Sequence, residues 1–311
     1  PWPLFFVCQN VFVREYLKNY IPTNFFQKTV LTVGSAAVAL IDPHRGDMIA
    51  CLGEVTGEMA LKSLREKMLE SPEGASILQE MPRINSETVC FKKLSNMPEK
   101  TVGRVYANFM RDNNITADSR LPVQFIADTD LAYVMQRYRE VHDLVHATLF
   151  MKTTMLGEVT IKWVEGIQTK LPMCIGGGIW GAARLKPKHR QLYLKYYLPW
   201  AIQTGNNAKL LQAIYFEKRW DQNIDDFHNE MHITRTIPYP RKEVSIALYL
   251  LHNPIQIIET KISVGLTILR HQPIIKNIQN SIGKHSFVCD WFVPLNGQQV
   301  YIKEKRASFH G

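Results

Sequence analysis

From Asp128 to Leu149 the chain runs without a proline or glycine, and acidic residues stand where a helix would begin. On a helical wheel of ~100° per residue with Leu131 at zero, Val134, Met135, Tyr138, Val145 and Leu149 fall within ~60° of it. His142 and His146 fall in that same stripe. The helix that must supply core therefore also turns two imidazoles inward, and any fold for this chain has to accommodate them.

The rest of the chain up to residue 232 is also read as helical. Residues 24–41 predict a helix after a Thr23/Asn24 cap, and this apolar stretch reads as a core helix. A second helix is expected at 56–70, where Met59, Leu61, Leu64 and Met68 recur at helical spacing. "SPEG" at 71–74 reads as a stop followed by a short turn, and 82–103 as polar and irregular. Further helices are expected at 154–169, 187–203 and 206–220, with Pro172 as a stop before the glycine run 176–178. Strand signals are nearly absent before 232. The expected fold class is all-α, a single multi-helix domain over 20–232. Residues 1–19 then form an N-terminal remnant, the end of a targeting region, and 233–311 an atypical tail, expected to be unstructured.

Charge is uneven. The chain carries +9 overall, and residues 233–311, with ten basic and four acidic residues, hold +6 of it. The remaining +3 does not point to nucleic acid, and no RRM, zinc-finger or helix-turn-helix signature accompanies it. Five scattered cysteines without a CxxC pair argue against a disulfide framework and a thiolate zinc site, and fit a reducing compartment. No stretch reaches the ~18–20 apolar residues of a membrane-spanning helix; "VLTVGSAAVALI" at 30–41 is too short.

His142 and His146 are four apart and share a helix face; Asp143 lies ~60° round the wheel from His146. Glu158 follows at the start of the next helix, where a turn can swing it back. Two readings fit these residues. They could converge on a divalent cation, whose charge offsets carboxylate burial, or be core histidines satisfied by hydrogen bonds. The protease motif H-E-x-x-H is not met, because Asp143 stands where the longer glutamate belongs. The HD phosphohydrolase pattern lacks its other histidine and aspartate.

H-D-x-x-H followed by eleven residues and a glutamate resembles the hallmark of the mitochondrial ubiquinone-biosynthesis family called Coq-four. "YIPTNFFQK" (20–28), "SPEGASILQE" (71–80), "LAYVMQRYREVHDLVH" (131–146), "MLGEVTIKWVE" (155–165), "QTKLPMCI" (168–175), "PWAIQTG" (199–205) and "YFEKRW" (215–220) also look like that family. The similarity covers about 20–232 and stops before the tail. It implies zinc at His142, Asp143, His146 and Glu158, although imidazole and carboxylate would also suit Fe(II) or Mn(II). It further implies a carboxy-lyase of ubiquinone biosynthesis, removing the C1 carboxylate of a 4-hydroxy-3-methoxy-5-polyprenylbenzoate to give a 2-methoxy-6-polyprenylphenol. The implied setting is a multi-protein complex, peripheral on the matrix side of the mitochondrial inner membrane and in contact with its lipid surface. The alternative is a non-catalytic scaffold that holds lipid or quinone intermediates for neighbouring enzymes.

Given such a substrate, Glu158 or Asp143 is the expected proton donor. Arg139, nearer the histidine stripe than Arg137, is the expected partner of the substrate carboxylate, with Lys162 a third cation bordering the motif. Tyr138 would orient the ligand through its hydroxyl. "LPMCIGGGIWGAARL" (171–185) offers Trp180 for a lipid interface and Arg184 for headgroups.

Overall fold

A computed structural model describes residues 11–42 and 45–234, together with the backbone of 291–295 and 298–302. The chain divides into two units, 1–240 and 241–311. In the second, Trp291–Leu295 and Gln298–Ile302 pair as antiparallel strands; the rest of the tail, and with it the expectation that it is unstructured, lies outside the described residues. So do residues 1–10 of the expected N-terminal remnant.

The described part of the first unit is helical, as the all-α reading expects. In chain order its helices are α1 (Val11–Asn19), α2 (Phe25–Ile41), α3 (Gly46–Thr56), α4 (Glu58–Leu69), α5 (Pro72–Glu80), α6 (Phe91–Ser95) and α7 (Val102–Asn113). They continue with α8 (Thr129–Thr148), α9 (Met155–Thr169), α10 (Pro172–Ala183), α11 (Pro187–Leu192), α12 (Leu198–Asn207) and α13 (Ile224–Glu230).

α8 is the strut around which the others pack, buried from Leu131 to Thr148 without a solvent face. Its N-terminal half joins Leu131, Val134, Met135 and Tyr138 to Leu61, Leu64 and Met68 of α4 and to Phe12, Val13 and Tyr16 of α1. Its C-terminal half joins Val141, Leu144 and Val145 to Val102, Tyr106 and Met110 of α7. The two cores meet along α8 at the level of the histidines. A helix buried all round must pair its own polar groups. Accordingly Arg137 meets Glu217 at 2.5 Å, Arg139 meets Glu54 at 2.5 Å, Glu140 meets Arg83 at 2.7 Å and Asp143 meets Arg120 at 2.5 Å.

Several boundaries differ from the sequence reading. α2 begins as expected, with a capping box in which Asn24 and Gln27 exchange bonds of 2.9 Å. It is not a core helix, however: only Ser35 is buried and most of its apolar side chains face outward. The turn expected after Ser71 extends into the nine-residue α5, with Ser71 as its cap. Pro172 does not stop a helix. α9 ends at Lys170, whose φ of 61° is left-handed, and Pro172 opens α10, where its missing N–H costs nothing.

The glycine run is helical because it lets α10 lie close against α9. A Cβ on Gly181 would meet Val159 Cγ2 at 2.6 Å, and one on Gly178 the Trp163 ring at 3.0 Å. The helix expected over 187–203 passes through a π-turn at Tyr193–Tyr197, just before Pro199, which cannot donate the α-helical bond. Of the helix expected over 206–220, only residues 206 and 207 are α-helical, as the end of α12, and single 3-10 turns follow. There the Gln168 amide bonds the carbonyls of Ala208 and Lys209 and the N–H of Leu211, satisfying the backbone in a non-helical path.

Candidate metal centre

α8 presents His142 and His146 one turn apart, with ring centroids 4.8 Å apart. The chain then turns sharply. Phe150 takes a left-handed φ of 51°, Met151 N–H returns to His146 O at 2.8 Å, and Thr154 caps α9 by accepting from Gly157 N–H. Glycine is required in that first turn, since a Cβ at Gly157 would sit 1.9 Å from the Lys152 carbonyl oxygen. Gly157→Ala is therefore expected to destabilise the fold by roughly 1–3 kcal/mol, measured as a lowered urea midpoint, and to weaken metal binding by displacing its neighbour Glu158.

Glu158, in the first turn of α9, comes back onto the histidines. Its Oε2 lies 3.6 Å from His142 Nε2 and its Oε1 3.4 Å from His146 Nε2. The ligand atoms of His142, His146 and Glu158 all lie within 4.8 Å of one another.

The proton placement on both rings is fixed by what their other nitrogens touch. His146 Nδ1 sits 3.0 Å from the Met151 carbonyl, which can only accept, so Nδ1 carries the proton. His142 Nδ1 lies 2.6 Å from Glu165 Oε1, a buried carboxylate, and likewise donates. Both Nε2 atoms are then lone pairs aimed at a third acceptor, the Glu158 carboxylate. His146 Nε2 is buried and makes no hydrogen bond among the described residues. Three converging acceptors with no donor between them suit a cation. The 3.4 and 3.6 Å spacings, each to a different Glu158 oxygen, bring the three groups close enough to share one cation. The residues thus fit a divalent metal held by two imidazoles and one carboxylate. Three protein ligands leave a position for substrate, as catalytic rather than structural zinc sites do.

The surroundings reinforce this. Burial opposes charge on Glu158; its carboxyl lies well below the usual range where His142 and His146 donate to it as imidazoliums, and a cation would supply that positive charge when both Nε2 atoms are lone pairs. Burial likewise opposes charge on Glu165, and the neighbouring His142 and Lys162 overcome it. Glu165 is fully buried and accepts from His142, from Tyr138 Oη at 2.7 Å and from Lys162 Nζ at 2.9 Å. Burial pushes the Cys174 thiol beside it up to about 12, so that sulfur stays protonated and is no ligand.

Of the residues singled out from the sequence, the structure brings His142, His146 and Glu158 together. Asp143 is not among them: its two oxygens face Arg120 at 2.5 and 3.3 Å. Tyr138 and Arg139 line a cavity of about 410 Å³ beside His142, with Arg120, Lys162 and Met173. Arg139 is tied to Glu54 and to the carbonyls of Leu121 and Ala50. Arg184 lies apart, its guanidinium on the carbonyls of Leu40 and Ile41 at the end of α2. Glu165, Arg120 and Cys174 were not expected. For Glu165 a signal existed, since Glu158, Lys162 and Glu165 stand at i, i+4 and i+7 on one face of α9.

Residues 17–237 match the family described as coenzyme Q (ubiquinone) biosynthesis protein Coq4. A Bombyx mori protein named "Ubiquinone biosynthesis protein COQ4 homolog, mitochondrial" is 76% identical over 224 residues, covering 72% of this chain and 86% of its own. A Drosophila grimshawi protein of the same name is 54% identical over 224 residues, covering 72% and 85%. A crystal structure of a Nostoc punctiforme protein assigned to ubiquinone biosynthesis covers 65% of this chain and 97% of its own. Its TM-score is 0.53 at 18% identity, a likeness that bears on the fold alone. With its family match spanning most of the chain and relatives this similar, the chain belongs to the Coq4 family of ubiquinone biosynthesis proteins.

Proposed function

We propose that this chain is a metal-dependent carboxy-lyase of ubiquinone biosynthesis. It converts a 4-hydroxy-3-methoxy-5-polyprenylbenzoate to the corresponding 2-methoxy-6-polyprenylphenol. The observation that carries the reading is the pair of Nε2 lone pairs and the Glu158 carboxylate, which converge beside a cavity whose walls include Arg120, Arg139 and Lys162. The same reading places the protein in a multi-protein synthesis complex, peripheral on the matrix side of the mitochondrial inner membrane.

The reaction needs a proton delivered to the ring carbon that bears the carboxylate. The bond to that carboxylate then breaks, CO2 leaves, and the electron pair left behind restores the aromatic ring. The para hydroxyl supports this by donating electron density. A zinc ion, when bound, supplies Lewis acidity that anchors and polarises a substrate oxygen. His142, His146 and Glu158 would hold it.

Glu165 keeps the His142 lone pair turned to the site. Lys162 and Tyr138, on the cavity wall and 2.9 Å apart, carry the protons nearest the histidines. Arg139, expected from the sequence to meet the substrate carboxylate, has its fork taken by Glu54 and by the carbonyls of Ala50 and Leu121, and so serves as a fixed part of the cavity wall. Asp143, locked by Arg120, acts through the position of α8. Because Glu158 faces both Nε2 atoms, ligation suits it better than proton donation.

The test is single-turnover CO2 release from a prenylated 4-hydroxy-3-methoxybenzoate, with the metal bound and after chelation. Release is expected only with metal. Bound metal and bound substrate without release would favour the scaffold role. Glu158→Gln is expected to lower metal affinity and turnover together; loss of turnover alone would make Glu158 the proton donor instead.

A further inference from the structure

Four ion pairs hold the buried charges of α8, and in three of them the cation is itself shut in. The Arg137 side chain is 0% exposed, Arg139 5% and Arg83 19%; Arg120 is 39% exposed, although its partner Asp143 is only 6% exposed. Arg120 stands on the wall of the cavity beside His142, directly after the 3-10 turn Ala117–Ser119. That loop is fastened from both sides. Arg139 donates to the Leu121 carbonyl at 3.0 Å, and Asp118 accepts from Ser86 N–H at 3.0 Å.

The three cations of the cavity wall differ in the donors they have left. Arg139 gives Nη1 to Leu121 and Nη2 to Ala50 and Glu54, so its outer fork is filled. Lys162 gives two of its three protons to Tyr138 and Glu165, each at 2.9 Å, and a lone ammonium sets no plane. Arg120 meets Asp143 sideways, through Nε at 3.3 Å and Nη2 at 2.5 Å. Both protons of Nη1 and the second of Nη2 remain, and Nη1 makes no hydrogen bond among the described residues. Together they form the end-on fork, which takes a carboxylate by two parallel bonds. Burial opposes the charge on Arg120, and Asp143 with Glu158 sustains it, so the guanidinium lies within electrostatic reach of the metal ligands.

We infer that Arg120 is the receptor for the substrate carboxylate, its inner edge fixed by Asp143 and its end-on fork open to the cavity. An aromatic acid as the ligand rests on the decarboxylase reading above; the open fork does not. The contact serves recognition rather than acceleration. The carboxylate leaves as neutral CO2, so a bond to its charge weakens as the reaction proceeds. The same contact tells acid from product, because the phenol offers the fork nothing and is free to leave. The rival receptor is the metal, whose open position would also take a carboxylate. The two differ in one respect: only the fork survives chelation.

The test is calorimetric binding of 4-hydroxy-3-methoxy-5-prenylbenzoate and of the corresponding 2-methoxy-6-prenylphenol to the full chain, with zinc bound and after chelation. Arg120→Lys keeps a cation beside Asp143 and removes the fork. It is expected to weaken the acid by about tenfold to a hundredfold and to leave the phenol unchanged, in both metal states. Its urea midpoint and bound zinc should match wild type, which separates a lost contact from a disturbed fold. Arg120→Met with Asp143→Leu, which removes the pair whole and strands no charge, should show the same selective loss.

Binding is scored whether or not CO2 is released, so the two readings fail separately. Selective loss of the acid in Arg120→Lys, with no release from any protein, would keep the receptor and sink the lyase. Where wild type turns over, the loss in the variant should fall on KM and much less on kcat. Acid affinity that Arg120→Lys leaves intact would overturn the inference, and its disappearance on chelation would place the carboxylate on the metal. Equal weakening of acid and phenol would also overturn it, as would wild-type protein that binds no acid in either metal state.

Discussion

Glu165→Gln is expected to lower metal affinity by about 10- to 100-fold while leaving the fold intact, although it changes only one polar atom of a residue that ligates nothing. The reason lies in the two sides of that carboxylate. Oε1 accepts from His142 Nδ1 at 2.6 Å, and Oε2 accepts from Tyr138 at 2.7 Å and from Lys162 at 2.9 Å. Glutamine has only one accepting oxygen. If that oxygen stayed toward His142, its NH2 would confront the Lys162 ammonium, which can only donate. The favourable orientation is the reverse, with oxygen toward Lys162 and Tyr138 and NH2 toward His142. His142 Nδ1 must then accept, so its proton moves to Nε2 and points into the site where a lone pair is needed. A wrong tautomer with intact geometry is enough to disable an imidazole. Titration with cobalt or zinc, read by visible absorbance or by metal retained after dialysis, checks this. Unchanged affinity would mean that Glu165 serves packing and charge balance alone. Glu165→Asp, which keeps two acceptors, should lose less than the glutamine.

Much of this site was legible before any coordinates. A stripe that mixes His142 and His146 with Val145 and Leu149 on one helix face cannot be solvated, and the turn back through Gly157 delivers Glu158 to it. What could not be read was which buried partner each group has, because those partners come from distant segments. Glu54 reaches Arg139 from α3, Arg120 reaches Asp143 from a loop, and Glu217 reaches Arg137 from a 3-10 turn. Spacing along one helix carries no information about such pairs. The apolar content of α2 misled for a related reason. Hydropathy says that Phe25, Phe26 and Ile41 leave water but not what they enter, and in this chain they leave the protein core free. α7 went unread although Val102, Tyr106 and Met110 recur every four residues, because the proline-punctuated stretch before it resembled a long loop.

Arg137→Met is expected to cost about 3–5 kcal/mol of stability, the largest effect on the fold of any single change considered. Arg137 has no exposed surface and makes a two-pronged bond to Glu217, at 2.5 and 3.0 Å, plus a third bond to the Ile214 carbonyl at 2.8 Å. Methionine fills much of the same volume, so the loss is not chiefly a cavity. It lies in the partners: a carboxylate only 16% exposed and a buried carbonyl both lose their donor. The pair also links α8 to the 211–218 segment, which is held by short 3-10 turns rather than by a continuous α-helix. Urea unfolding of wild type and variant measures the cost as a lowered midpoint at unchanged slope. A loss below about 1 kcal/mol would show that water reaches Glu217 and repairs the site. The double change Arg137→Met with Glu217→Met separates the explanations. If the single loss is the stranded charge, removing that charge restores most of the stability, as replacing a whole buried ion pair by apolar groups often does. If Arg137 acts instead by pinning the 211–218 path through Ile214, the double variant stays as unstable as the single one, and that segment becomes open to proteolysis first.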